Sequence, residues 1–379
     1  MISSIKNNIR NFVFNMPGWH TDRKIVVFES DDWGMIRMAS REAYQYLLKK
    51  GYPVDECMYN RNDTLETNED LEQLFEVLLD YRDNYGNHPV ITANNIVANP
   101  DFARIKDAEY ESYVYETFDK TLSRYPNRDR VLSLYQEGIK NRIFIPQLHG
   151  REHVNISNWL EALKSGDGIA RELFEHSMFT AHVIKNNLSC SLEYLDAFGF
   201  QYGKVNFDLN EIISEAANIF ENTFLYKSQS FIAPCYTWPA SLSRSLDENG
   251  VKYIQGSTTQ KATKENDKGY KKIRHFTGQQ NKKKQFYMVR NATFEVAENP
   301  AKDWVASCLK EINTAFNYKK PAVISIHRVN FIGDIHPENR RRTLTLFRSL
   351  LSKILAYWPE TEFMSTPDLG KLVENSSKS

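Results

Sequence analysis

Residues 24–34 read KIVVFESDDWG. Four consecutive apolar residues, Ile25 to Phe28, are too many for a strand with one wet face. They match a short parallel strand buried on both sides. The acidic residues follow at once, so Asp31 and Asp32 fall just beyond a buried strand. That is where wound α/β sheets and barrels keep their active sites. Two neighbouring carboxylates repel, and both stay ionised cheaply only beside a cation or a fixed donor. The plainer alternative is an acidic turn that caps the next helix.

Outward from this stretch the same strand pattern recurs at 90–93, 142–148, 229–233, 251–254, 286–289, 322–326 and 362–364. Amphipathic helices are expected between the strands. Leu71, Leu74, Phe75 and Leu78 share one face behind a cap at Thr67. Trp304, Cys308, Leu309 and Ile312 form a second face, and Leu344, Phe347, Leu350, Leu351, Ile354 and Leu355 a third. Strand–helix alternation along the whole chain predicts a wound α/β sheet or a barrel. No Pro/Gly/Ser-rich linker divides it, so residues 1–379 are expected to form one domain, with insertions near 101–128 and 261–285. The second insertion is basic and nearly free of aliphatic residues. It predicts a solvated loop or hairpin, or a contact for an anionic glycan.

Composition narrows the function classes. Lys+Arg and Asp+Glu are both 48, so net charge is zero and nothing points to nucleic acid. Cys57, Cys190, Cys235 and Cys308 form no CxxC pair, against a zinc–thiolate site or a disulfide framework. The first residues hold no apolar run fit for a signal sequence, and no stretch is long enough to span a membrane. A cytoplasmic protein is the expectation.

A second motif, PQLHGREHVN at 146–155, places His149 and His153 four residues apart beyond another apolar strand. On a helical turn that spacing presents two imidazoles to one metal. The stretch also reads His-x-x-Glu-His with Glu152, the signature of one metallopeptidase class, in which the Glu is the general base. Pro146 and Gly150 favour a strand-end loop over the continuous helix such a peptidase needs. Two further strands end in SFIAPCYTWP (230–239) and AVISIHRVNF (322–331), bringing Tyr236, Trp238 and His327 to the same end as Asp32 and His149.

Together these motifs resemble the polysaccharide-deacetylase (NodB-homology, carbohydrate esterase family 4-like) superfamily, in a divergent form. The resemblance implies a distorted (β/α)7-type barrel and a hydrolase that removes N- or O-acetyl groups from a poly- or oligosaccharide. It implies one divalent metal ion, Zn or else Co or Ni, on Asp32, His149 and His153. Asp31 matches the family's base, His327 its general acid, and Tyr236 the tyrosine of its Arg-x-Pro-Tyr motif, with a backbone N–H nearby for the oxyanion. Ile232 or Ala233 stands where that motif has arginine, leaving Arg290 or Arg328 to replace it. Gly150 stands where the family has a hydroxyl residue, and its aspartate/tryptophan motif has no counterpart. Trp33, Trp238 and Arg328 adjoin motif residues and are expected to contact substrate, the tryptophans by stacking on sugar rings. Three alternatives stay open: a glycosidase of the same barrel superfamily, a non-catalytic glycan-binding protein and the metallopeptidase.

Overall fold

The computed structural model describes residues 16–185, 188–192, 194–264 and 267–377. Its main sheet uses β1 (Lys24–Trp33), β2 (Ile91–Ile96), β3 (Phe144–Gly150), β4 (Ser230–Ile232), β5 (Tyr253–Gly256), β6 (Phe286–Val289), β7 (Ala292–Thr293), β8 (Ala322–His327) and β9 (Thr361–Phe363). The order is β6-β5-β4-β3-β2-β1-β8-β7, with β9 also paired to β1. Every pairing in it is parallel. Each strand anticipated from the sequence is present, with ends shifted by a few residues.

The two edges of this sheet, β6 and β7, are consecutive in sequence, separated by Arg290 and Asn291 alone. Arg290 N–H donates to Gly256 O on the β5 side at 2.9 Å, and Asn291 N–H donates to Val323 O on the β8 side at 3.0 Å. The chain thus leaves one edge and joins the other, curling the sheet into a distorted (β/α) barrel.

Strand alternation fixes what fills the barrel, because successive side chains point to opposite faces. On β1 the even residues Val26 and Phe28 join the large core beneath the helices. The odd residues Ile25 and Val27 pack inward with Tyr253, Met288, Val323, Leu369 and Val373. Leu369 and Val373 belong to the C-terminal helix Thr366–Ser376, which plugs the barrel floor. Continuing the inward rows upward gives Glu29 and Asp31 on β1, Arg290 just past β6, and Ser325 and His327 on β8. The floor is apolar and the mouth is charged.

The anticipated helices are present. Thr67 caps Asn68–Leu79 through a reciprocal capping box with Asp70, and Trp304–Asn317 and Pro337–Tyr357 bury the expected apolar faces. Phe347 anchors the last of these, fully buried, with ring centroids 5.2 Å from Phe28 and 5.8 Å from Phe331. Phe347→Ala is expected to cost about 3–5 kcal/mol in denaturant unfolding, the usual cost of an emptied aromatic site. A loss below about 1 kcal/mol would show that this helix is not seated as described. Within 101–128 Phe118 is fully buried, and Tyr110 and Tyr113 pack on the core. The segment 261–285 includes most of an antiparallel hairpin, Thr259–Lys264 with Asp267–Arg274. No helix among the described residues is long and apolar enough to cross a membrane.

Candidate active site

Two β-bulges build the mouth of the barrel. Between the pairs Ser30–Ala93 and Trp33–Asn95, β1 takes three steps while β2 takes two. The extra residue lies at the Asp31–Asp32 step, and Asp32 is left-handed at φ 74°. In a regular strand Asp32 would face the helices, as Ser30 does. The bulge turns it toward the same opening as Asp31. A second bulge falls on His149, between the pairs Asn95–Leu148 and Ile96–Gly150. Gly150 then takes φ 134°, a conformation that favours glycine. The chain reaches His153 through a loop, and the next helix begins only at Ile156. The helical turn inferred from the four-residue spacing is therefore absent. A bulge, a glycine and a loop bring the two histidines together, with ring centroids 5.1 Å apart.

Asp32 Oδ1 lies 3.5 Å from His149 Nε2 and 3.4 Å from His153 Nε2. All three residues are buried, and their ligand atoms lie within 4.8 Å of one another. His149 Nδ1 sits 2.8 Å from Ile232 O. A carbonyl only accepts, so Nδ1 carries the proton, and in the neutral ring Nε2 presents a bare lone pair to the Asp32 carboxylate. His153 is held neutral: burial pushes its pKa down to about 4 against the pull of Asp32, and its Nδ1 is buried without a hydrogen-bond partner among the described residues. Lone pairs and a carboxylate oxygen converging on one point repel unless a cation lies between them. Two imidazoles and one carboxylate fit a divalent metal with positions left open.

Next to this triad Asp31 is clamped by Arg290. Arg290 Nη2 donates to Asp31 Oδ1 at 2.6 Å, Nη1 to Oδ2 at 2.7 Å, and Nε to Glu29 Oε2 at 2.7 Å. Asn94 Nδ2 adds a bond to Asp31 Oδ1 at 2.7 Å. Burial alone would raise the Asp31 pKa, but the guanidinium overrides it and holds the carboxyl well below the usual range. Arg290 therefore stands where the resemblance left a gap at Ile232. The sheet seam explains how: closing the barrel places it directly across from β1.

On the other side of Asp31, His327 Nε2 lies 3.8 Å from Asp31 Oδ2. Its Nδ1 lies 2.6 Å from Glu295 Oε1, and Glu295 Oε2 accepts from Asn330 Nδ2 at 2.6 Å. Burial pushes the imidazole pKa down, but Glu295 with Asp32 and Asp31 outweighs it and raises the value to about 10.

The remaining expected residues divide. Tyr236 reaches the site, its hydroxyl 3.2 Å from Arg290 Nη1. Its own backbone N–H donates to Ala233 O at 3.0 Å. Trp33 is fully buried between Phe144 and Phe331, and its Nε1 donates to Ser30 Oγ at 2.9 Å. Trp238 is buried and stacked on His275. Neither offers a sugar a free face. Arg328 is fully buried on Asp63 and Glu66, because the residue after His327 turns away from the mouth. Glu152 is buried and bound bidentately by Arg151.

With this geometry established, the fold can be set beside known proteins. The chain is similar to a protein described as a glycoside hydrolase/deacetylase from Parabacteroides distasonis, at 10% identity, TM-score 0.47, over 93% of this chain and 72% of that one. It is similar to a protein described as a polysaccharide deacetylase from Mycobacterium smegmatis, at 10% identity, TM-score 0.46, over 95% and 94%. A third is a CE4 family pseudoenzyme from Bacillus anthracis, at 8% identity, TM-score 0.38, over 92% and 66%. No protein-family model matches the sequence, and no curated protein does.

Glu29 and Glu295 escaped the sequence reading, and Arg290 entered it only as one of two candidates. A signal was present. Arg290 and Glu295 are lone charges inside apolar runs, FYMVRNA and ATFEVA, while Glu29 ends the apolar run VVF and opens the acidic ESDD. A charge carried into a core by its neighbours must be paired there.

Proposed function

We propose that the protein is a metal-dependent hydrolase that removes acetyl groups from a poly- or oligosaccharide. The carrying observation is the line of groups across the mouth: the Asp32–His149–His153 triad, the arginine-clamped Asp31, and His327 backed by Glu295. Zn²⁺ suits two imidazoles and a carboxylate, with Co²⁺ or Ni²⁺ as substitutes. A divalent ion there supplies Lewis acidity, making water nucleophilic near neutral pH and polarising an acetyl carbonyl.

This chain's residues do the rest. Arg290 keeps Asp31 unprotonated, as a base must be, so it can take a proton from the attacking water. Glu295 keeps His327 protonated, so it can give a proton to the departing amine or alkoxide. The two lie side by side, one on each role. Both oxygens of Asp31 are already fixed by donors, which favours a positioned base over an attacking nucleophile and speaks for an acetyl hydrolase over a glycosidase.

The test is acetate release from a panel of acetylated glycans. His327→Ala is expected to lower turnover by about 10²–10⁴ while leaving metal content unchanged. Glu295→Gln removes the carboxylate that holds the His327 proton, so the alkaline fall in rate should move to lower pH. Wild-type turnover in His327→Ala, or an unmoved alkaline limb in Glu295→Gln, would remove His327 from the mechanism.

A further inference from the structure

Arg128, Arg151, Arg290, Arg328 and Arg340 are buried, and each holds a carboxylate. Arg37 is buried to the same degree, 6% exposed, yet makes no hydrogen bond or ion pair with the described residues, and its Nε is sealed without a partner. Its guanidinium lies 5.0 Å above the Tyr59 ring, and that ring meets His327 edge-on at 5.5 Å. Its charge also bears on His153. The nearby Asp63 pairs with Arg328.

The loop that carries Arg37 leaves the metal-side bulge of β1 and is pinned on both sides. Ile36 N–H donates to Asn99 Oδ1 at 2.9 Å, and Met38 N–H donates to Asp63 O at 2.9 Å. Arg37 feels the Asp63 carboxylate only together with Arg328. A fixed, buried guanidinium with no hydrogen-bonded anion of its own is costly unless another anion arrives to share it. Its planar fork matches a carboxylate.

A second feature points the same way. In the hairpin Thr259–Lys264/Asp267–Arg274, Lys261 lies directly opposite Lys272, and Arg274 continues the same face opposite Thr259. Both lysines are exposed. Like charges directly opposed destabilise a sheet pair, and a polyanion laid along them would relieve the repulsion. The ladder begins at the Tyr236 loop: Thr237 bridges to Lys261, and Trp238 N–H donates to Lys261 O at 3.2 Å.

We infer that the glycan acted on at this site is acidic, with a sugar carboxylate received by Arg37 and the flanking chain lying along the Lys261–Lys272 ladder. The inference rests on the site acting on an acetylated glycan, and it assigns the substrate class.

Calorimetric titration of the purified full chain with N-acetylated acidic oligosaccharides and their carboxyl-reduced counterparts tests it. At low salt at least one acidic member should bind about tenfold to a hundredfold more tightly than its reduced form. Arg37→Met should erase that preference, and Arg37→Lys should keep part of it. Lys261→Gln with Lys272→Gln should weaken acidic ligands only and flatten their salt dependence. Thermal unfolding checks that each variant is folded, and the hairpin pair stands in should Arg37→Met fail to fold. The inference is overturned if no acidic member outbinds its reduced form, or if the preference survives both Arg37→Met and the hairpin substitutions. Acetate release on the same panel is scored separately: a charge preference without release defeats the proposed function and leaves the charge preference standing.

Discussion

Arg290→Gln is expected to cost about 3–5 kcal/mol of stability, the usual result of removing one member of a buried ionic network, and to abolish turnover. Arg290 is the cation that ties Glu29 and Asp31 together, and all three side chains are buried. Without it, two carboxylates remain in a dry barrel. Neutralisation is their cheapest escape: Glu29, already raised by burial in the native protein, should rise further, and Asp31 should rise above its value in the unfolded chain. The Asp31 contribution to the pH dependence then reverses sign. In the native protein the depressed Asp31 pKa contributes stability above the unfolded value, and that contribution is lost as pH falls through the folded value. In Arg290→Gln the folded state binds the extra protons, so stability should increase as pH falls from neutral toward about 5. Arg290→Lys should recover part of the stability but not the paired bonds to Asp31. Urea unfolding followed by circular dichroism at several pH values measures this. Equal stability of Arg290→Gln and the native protein at neutral pH would mean that the three charges do not form one unit.

Much of the fold was legible because the strands announce themselves. KIVVF, AVISI and FYMV are short, apolar and β-branched or aromatic, and each is a barrel strand. Period-two reading of those strands also yields the inward rows, Ile25-Val27-Glu29-Asp31 and Val323-Ser325-His327. What the sequence hid is geometry that breaks the period. The bulge at Asp32 puts two adjacent carboxylates in one mouth, and the bulge at His149 with the loop to His153 replaces the helical turn that spacing implied. Arg290 was obscured for another reason: its role follows from closure of the sheet, a property of strand order and not of local spacing. Trp33 and Arg328 misled through adjacency, since the immediate neighbour of a strand-end site residue points away from the site. Trp238 follows the 3-10 turn Pro234–Tyr236 and is buried against His275.

His149→Ala combined with His153→Ala is expected to eliminate tight metal binding and reduce turnover to background. Loss of a mere outer-shell partner costs about 10–100-fold in metal affinity, and these substitutions remove two of three direct ligands. Asp32 would then keep only its own carboxylate, on a backbone still bent into the left-handed region. The native arrangement makes sense as a cation site on three grounds. His149 is oriented by Ile232 O so that Nε2 faces Asp32, His153 is neutral, and the three ligand atoms surround one point. Remove the imidazoles and the repulsion disappears together with the site. The most direct measurement is elemental analysis of protein incubated with Zn²⁺, Co²⁺ or Ni²⁺ and then desalted. The native chain should retain one ion and the double variant none, with circular dichroism confirming that both are folded. Equal metal retention by the two proteins would contradict the placement of the metal on Asp32, His149 and His153.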